Sequence, residues 1–222
     1  MRNLSWNTKW MSIILLDDMP LPNFYDATIE FRSTDTDSAE EMIAFDRMKH
    51  ILIGQMTGCI FADVDNKLLK TVRKNFNAYP VTLPTEPIDF VVAATIYSKL
   101  ISVVEGRLEI TGFGVSSVIG DEITNWIEYD DLTGLAWTMT DKVKEVSGSL
   151  PWYLRSDAGC NDILVENKNG WTVEQDKQDW AELGLGWDMA KADAKKDPPV
   201  IIKFPDNRWK PKIIDGGLDD KG

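Results

Sequence analysis

Apolar and polar positions alternate in the first part of the chain in a pattern that predicts β-strands. The apolar run Ile13–Leu16 predicts a short strand, and residues 17–23, which are rich in Asp and Pro, predict a turn after it. In residues 27–32 apolar side chains occupy every second position, which is the period of a half-buried strand. The chain therefore begins with β-structure.

Two helices with defined ends are predicted next. Ser38 followed by Glu41 forms a capping box, and apolar residues at helical spacing continue as far as Gly54, a typical helix stop. Residues 88–105 form the most hydrophobic predicted helix, which is apolar around most of its circumference and ends at Gly106. A helix with this pattern is normally covered on all sides by the rest of the protein.

Further strands alternate with these helices. Residues 59–62 predict a buried strand, and residues 107–119 and 123–129 predict an antiparallel hairpin. Within this hairpin the apolar face changes side at Gly112, which predicts a β-bulge. Shorter helical stripes follow the buried strand, at residues 67–76, and the hairpin, at residues 131–146.

The order of these elements predicts an α+β fold, with helices packed on a mostly antiparallel sheet. A ferredoxin-like split arrangement is one topology consistent with this order. After residue 147 Gly and Pro repeatedly interrupt the pattern, while Trp recurs among charged residues. We therefore expect an α+β core domain in residues 1–147 and a Trp/Pro-rich extension, ending in an extended arm, in residues 148–222.

Composition and charge exclude several function classes. The formal net charge is -12, so the surface repels nucleic-acid phosphates and anionic lipid headgroups, and we expect neither nucleic-acid nor membrane binding. The sequence shows no secretory signal and no apolar segment of the roughly 20 residues needed to span a bilayer. Cys59 and Cys160 are too few to form a four-ligand zinc site. Free thiols in a reducing compartment, and hence a cytoplasmic location, are the simplest interpretation.

Asp63 and Asp65 form the best candidate for a catalytic site. Two carboxylates separated by one residue at the end of a buried strand can both reach one Mg²⁺ or Mn²⁺ ion, which can hold a nucleotide or phosphate ester. The alternative is structural, because Asp at the end of a strand commonly caps the following turn or helix. No other motif for a cofactor or a catalytic nucleophile is present, which favours a non-enzymatic role.

The tryptophans of the last third predict an interaction surface. Indole rings are enriched where proteins contact each other, and few aliphatic residues accompany these rings in the extension. The alternative is that some of them pack the extension onto the first domain. The predicted partner-binding residues are Trp152, Trp180, Trp187, Trp209, Ile213 and Ile214.

These observations predict a non-catalytic protein–protein interaction or assembly protein that forms a homo-oligomer through its C-terminal extension. The acidic, Trp-rich chain with a polar extended tail also suggests a phage-encoded protein. The alternative function is a Mg²⁺- or Mn²⁺-dependent enzyme that acts on a nucleotide or phosphate ester through Asp63 and Asp65. No other cofactor is expected.

Overall fold

A computed structural model of the chain describes residues 3–17, 19–34, 37–69, 71, 79–133 and 142–189. The strands are β1 (Asn3–Leu16), β2 (Met19–Ser33), β3 (Ile60–Asp63), β4 (Pro80–Leu83), β5 (Leu108–Ser117), β6 (Asn125–Ile127), β7 (Asn161–Asn167) and β8 (Gly170–Asp176). The helices are α1 (Ser38–Lys49), α2 (Asp89–Val104), α3 (Tyr129–Thr133) and α4 (Lys142–Ser147). A π-helical segment (His50–Gln55) continues α1, and a 3₁₀ turn (Trp152–Leu154) precedes β7.

A six-stranded sheet with the order β4-β3-β1-β2-β5-β6 forms the centre of the fold. Three of its pairings are antiparallel, whereas β1 pairs with β3 and β3 with β4 in parallel. The predicted α+β class is confirmed. The ferredoxin-like split is not confirmed, since β1 and β2 form a direct hairpin and the two parallel pairings lie outside it.

The first hairpin is much longer than the sequence predicted. Its strands β1 and β2 have 14 and 15 residues, and β2 resumes at Met19, so the predicted turn over residues 17–23 is wrong. Pro20 and Pro22 are tolerated in β2 because their backbone nitrogen atoms point away from β1, towards the side on which β5 pairs. The carbonyl of Phe24 accepts a hydrogen bond from Val118 N–H on the β5 side, and backbone groups two and four residues earlier point the same way. Among the described residues, β2 pairs with a strand on that side only from Tyr25 onward, so the missing N–H groups of the two prolines break no ladder.

The predicted β-bulge is confirmed. The register between β2 and β5 shifts between Glu30 and Phe31, which face Gly112 and Ile110. Thr111 is therefore the extra residue, and it moves the buried side chains of β5 from even to odd positions.

The start of α1 differs in detail from the predicted capping box. Asp37, and not Ser38, is the N-cap, and its Oδ1 accepts a hydrogen bond from Ala39 N–H at 2.9 Å. Glu41 instead accepts a 2.6 Å hydrogen bond from Ser33 Oγ at the end of β2. The capping box is thus replaced by a link between the hairpin and the helix.

The hydrophobic helix α2 lies at the centre of the molecule, as predicted. It ends at Val104, where Glu105 and Gly106 adopt left-handed backbone conformations with φ values of 47° and 77°. With α1 this helix covers one face of the sheet, and residues 152–157 pack against α2 through the 3₁₀ turn and Lys99. No helix in the described part of the chain is long and apolar enough to cross a membrane.

The residues after the predicted domain boundary share the core of the first part. Trp152, Tyr153 and Trp180 belong to the same apolar cluster as Tyr25 and Ile29 of β2. Within the described ranges, the boundary at residue 147 therefore does not separate two cores. The helix predicted over residues 131–146 corresponds to α3 and α4, with residues 134–141 outside the described residues. Most of the helix predicted at 67–76 also falls outside them.

Candidate functional site

Asp63 and Asp65 lie in a turn at the end of β3. The Asp63 Oδ1 atom accepts a hydrogen bond from the backbone N–H of Asp65 at 3.0 Å, and the Asp63 carbonyl accepts one from Asn66 N–H at 2.9 Å. The side chain of Asn66 in turn accepts a hydrogen bond from Leu68 N–H at 2.8 Å. These contacts correspond to the structural interpretation of the pair, in which short polar side chains stabilise a turn.

A cleft of about 700 Å³ opens beside this turn, between it and the β7–β8 hairpin. Asp65 lines this cleft with Glu145 and Glu166, but Asp63 does not. The remaining wall is mainly apolar and includes Leu69, Leu164 and the half-exposed Trp171 ring. Among the residues that the structure describes, no group of three or more His, Cys, Asp or Glu side chains is close enough together to hold a metal ion. Metal binding by Asp63 and Asp65 remains a prediction.

Trp152 is buried in its own chain and is held by hydrogen bonds at both ends. Its indole Nε1 donates to the Thr82 carbonyl of β4 at 2.6 Å, and its backbone N–H donates to Asp162 Oδ2 at 2.6 Å. Asp162 is fully buried and also accepts a hydrogen bond from Arg155 Nη1 at 2.5 Å. This network joins the 3₁₀ turn and Arg155, which follows it, to β4 at the edge of the sheet.

Lys99 joins the same segment to α2. Its side chain is fully buried, and Nζ donates to the carbonyl oxygens of Trp152, Arg155 and Asp157 at 3.0, 2.9 and 2.6 Å. Burial lowers the pKa of Lys99 because it disfavours the charged form. The three acceptors match the three hydrogens of an ammonium group, so the cation has a structural role.

Trp180 and Trp187 are held by arginine side chains. The Arg47 guanidinium lies 3.6 Å from the centre of the Trp187 ring and 4.8 Å from that of Trp180. Arg107 lies 4.3 Å from the Trp187 ring, and Trp180 Nε1 donates to the Ser156 carbonyl at 2.5 Å. Stacking on guanidinium groups fixes both rings on the core of their own chain.

The prediction that Trp152 and Trp180 contact a partner is therefore wrong in this fold. They are 1% and 5% exposed, because Trp152 packs against Lys99 of α2 and Trp180 packs against Arg47 and His50. Trp187 is partly buried against the same core. Trp209, Ile213 and Ile214 lie outside the described residues, and their role remains a prediction.

The open face of the β1–β2–β5 sheet carries an apolar surface that the sequence analysis did not identify. Met11 and Phe24 are cross-strand partners, and Val118 follows β5 next to Phe24, to whose carbonyl it donates a hydrogen bond at 3.1 Å. Their exposed fractions are 46%, 57% and 57%. We call Met11, Phe24 and Val118 the apolar strip. Its signal in the sequence is the alternation Pro20, Pro22, Phe24, whose two prolines led us to predict a turn over residues 17–23.

The two ends of this sheet face differ in chemistry. Beyond Met11 the β1 and β2 side chains of this face are polar, with ion pairs between Lys9 and Asp26 and between Arg32 and Glu109, while the Trp126 ring lies over β5. This half has the composition expected of a strand face in water. The apolar strip lacks this composition, and exposed apolar patches of this kind mark interaction sites.

The turn beside the apolar strip is held in place by buried polar groups. Asn23 Oδ1 accepts a hydrogen bond from Ile119 N–H at 3.1 Å, and Ser117 Oγ accepts one from Gly120 N–H at 3.1 Å. Ser117 Oγ also donates to Asp89 Oδ1 at the start of α2, at 2.7 Å. Burial raises the pKa of Asp89, because it disfavours the carboxylate. These contacts fix the position of Val118, and the exposed Asp121 and Glu122 follow it in the same turn.

Comparisons with known proteins place the chain in no family. No family model matches it, and no curated protein matches it. Among solved structures, an uncharacterized protein from Wolinella succinogenes is similar with a TM-score of 0.42 and 8% sequence identity. That similarity covers 58% of this chain and 98% of the other.

Proposed function

We propose that the chain is a non-catalytic assembly protein that self-associates, with the C-terminal residues of one copy bound to the apolar strip of another. The observation that supports this proposal most strongly is the apolar strip, since a protein that acts by contact needs exposed apolar surface. Burial of the exposed 57% of Phe24 in such a contact contributes about 1–2 kcal/mol.

The C-terminal sequence provides apolar groups that match this surface. Trp209, Ile213 and Ile214 are the predicted contact residues that remain after Trp152, Trp180 and Trp187 are assigned to the core of their own chain. Aromatic and branched side chains of this kind form the centres of protein interfaces.

Charge supports the same pairing. Arg208, Lys210 and Lys212 surround Trp209, whereas Asp121 and Glu122 lie in the turn beside the apolar strip. Opposite charges around an apolar contact favour correct association and oppose incorrect partners.

Removal of residues 190–222 tests the proposal, because the shortened chain ends at Met189 and keeps every described residue. We expect the molar mass of the full-length protein, measured by sedimentation equilibrium, to increase with concentration above the 25.1 kDa of one chain. The shortened chain is expected to remain monomeric over the same range. Equal behaviour of the two proteins would show that the C-terminal residues do not drive association.

A further inference from the structure

Among the residues that the structure describes, the outer half of β1 is an open edge of the sheet. Residues Asn3–Lys9 pair with β2 on one side only, because β3 joins β1 at Ile13 and Ile14. The Met11 carbonyl and the Ile13 N–H form hydrogen bonds on the β3 side, to Gly58 and Cys59, at 2.7 and 2.9 Å. Backbone direction repeats every two residues along a strand, so the N–H and C=O groups of residues 3, 5, 7 and 9 also point to this side. Among the described residues these groups have no backbone partner.

The two faces of this edge have different side chains. Leu4, 41% exposed, and Trp6, half-buried, lie on the face that α1 covers, where the Trp6 ring packs 5.1 Å from Phe45. Ser5 and Asn7 lie on the open, polar face. A strand added here therefore needs apolar side chains on one face and tolerates a polar side chain on the other.

Residues 200–204, Val-Ile-Ile-Lys-Phe, have this pattern. Val200, Ile202 and Phe204 would share one face of a strand, and Ile201 and Lys203 the other. β-Branched and aromatic residues favour strands, and the prolines at 199 and 205 limit the segment to five residues. On the open face Lys203 would lie near the exposed Glu30, the cross-strand partner of Ser5.

The described chain ends close to this edge. Trp187 stacks on Arg47 of α1, and the same helix carries Phe45, which contacts Trp6 of β1. Ten residues separate Met189 from Val200 and can span at most about 36 Å. In a two-fold symmetric pair, each copy would present both a C-terminal segment and an open edge at the same place, so the two segments can be exchanged reciprocally.

The charge distribution favours binding between such segments and the rest of the chain. Residues 190–222 contain 8 of the 24 Lys and Arg residues and 6 of the 36 Asp and Glu residues. Their net charge is therefore +2, and that of residues 1–189 is -14. A basic segment is attracted to an acidic body of this kind.

We propose that residues 200–204 of one copy add as a strand to the β1 edge of a second copy. This inference rests on the proposed self-association, and it identifies the strand edge with which the C-terminal segment would form backbone hydrogen bonds. Strand addition of this type obtains affinity from main-chain hydrogen bonds and specificity from alternate side chains.

A proline at residue 5 tests the edge directly. Ser5→Pro removes an outward-facing N–H but leaves the β1–β2 ladder intact, whereas Ser5→Ala keeps the N–H and serves as the matched control. We expect Ser5→Pro in the full-length chain to raise the dissociation constant, measured by sedimentation equilibrium, about tenfold or more, which corresponds to about 1.4 kcal/mol. Ser5→Ala is expected to remain within about twofold of the unmodified protein.

A second pair of variants tests the added segment without changing the described fold. Ile202→Pro is expected to weaken association as Ser5→Pro does, while Ile202→Val is expected to preserve it. If both proline variants associate like the unmodified protein and deletion of residues 190–222 still gives monomers, strand addition is wrong and self-association stands. If the deletion has no effect on the mass, or if the full-length chain is monomeric throughout, the proposed function itself fails.

Discussion

At the scale of single residues, Arg47 connects three parts of the chain through one guanidinium group. Its Nε donates to the Leu185 carbonyl at 2.9 Å, and Nη1 donates to the Val103 carbonyl at 3.2 Å and to Glu105 Oε1 at 3.0 Å. Burial lowers the pKa of Arg47, and the hydrogen bond to Glu105 opposes this shift. The planar group is thus positioned both to form hydrogen bonds and to stack on Trp187.

Arg47→Lys is expected to lower the free energy of unfolding by about 2–3 kcal/mol. Lysine retains the charge but cannot reach all three acceptors or stack as a plane, so buried carbonyl groups lose their partner. Urea denaturation followed by tryptophan fluorescence measures this change. Arg107→Lys is the control, since Arg107 also lies over the Trp187 ring but is more exposed, and its effect should be below about 1 kcal/mol. Equal effects of the two substitutions would contradict the role of Arg47.

The individual roles of these residues could not be predicted from the sequence. The Trp152 ring and the Lys99 ammonium find their partners more than 50 residues away along the chain. A tryptophan among charged residues has the same local pattern whether it faces a partner or its own core. The sequence analysis, in contrast, predicted Cys59 and Cys160 to be free thiols, and the structure shows both as free and also buried.

At the scale of elements, two glycines in β5 allow a tryptophan to lie flat on the strand. A Cβ atom at Gly112 would lie 2.4 Å from Trp126 Cζ2, and one at Gly114 would lie 2.6 Å from Trp126 Cε3. The ring belongs to the neighbouring strand β6, where Trp126 pairs with Gly114. This contact covers an otherwise bare stretch of the open sheet face.

Gly112→Ala is expected to lower the free energy of unfolding by about 1–3 kcal/mol, because the methyl group displaces the Trp126 ring. Chemical denaturation measures the loss, and the fluorescence of the displaced ring should change with it. In a Trp126→Ala background the same substitution should have little effect, since the space is then free. An unchanged cost of Gly112→Ala in that background would show that the ring is not the cause.

The elements with a clear period could be predicted, whereas those that depend on distant pairing could not. The strand at residues 27–32, the helix α2 and the β-bulge at Gly112 each follow from local alternation of apolar and polar positions. The length of the first hairpin was underestimated. Only the three-dimensional structure shows that the backbone nitrogen atoms of Pro20 and Pro22 face a side on which, among the described residues, no strand pairs with them. The parallel pairings of β1 with β3 and of β3 with β4 join segments whose relative position no local pattern specifies.

At the scale of the whole molecule, buried thiol and tyrosine hydroxyl groups make the free energy of unfolding depend on pH in the alkaline range. Burial raises the pKa of Cys160 from 9.0 to about 12, and it also raises the pKa of Tyr97 to about 12 and that of Cys59 well above 9.0. In the unfolded chain these groups lose their protons at their ordinary pKa values, whereas in the folded chain they remain protonated. Through these groups the folded state binds more protons in this range, so their contribution to the free energy of unfolding falls as pH rises, while the lowered pKa of Lys99 acts in the opposite direction.

We expect the stability to fall between about pH 9 and 12, by about 1.4 kcal/mol per pH unit for each such group. Cys160→Ser removes one titrating group. The free energy of unfolding of this variant should therefore fall less steeply with pH, by about 1.4 kcal/mol per pH unit, whatever its value at neutral pH. Urea denaturation of both proteins over this range measures the two slopes. Identical slopes would contradict the assignment of a raised pKa to Cys160.

The central claim is that the C-terminal residues of one copy bind the apolar strip of another, and a mixing experiment tests it most directly. Phe24→Ser in the full-length chain removes the acceptor but keeps the C-terminal residues, whereas the chain that ends at Met189 keeps the acceptor and lacks those residues. Sedimentation equilibrium of each protein alone should give monomers, and an equimolar mixture should give a heterodimer, because one intact contact can form between them. A mixture that remains monomeric under conditions in which the unmodified protein associates, or either variant that associates alone, would contradict the account.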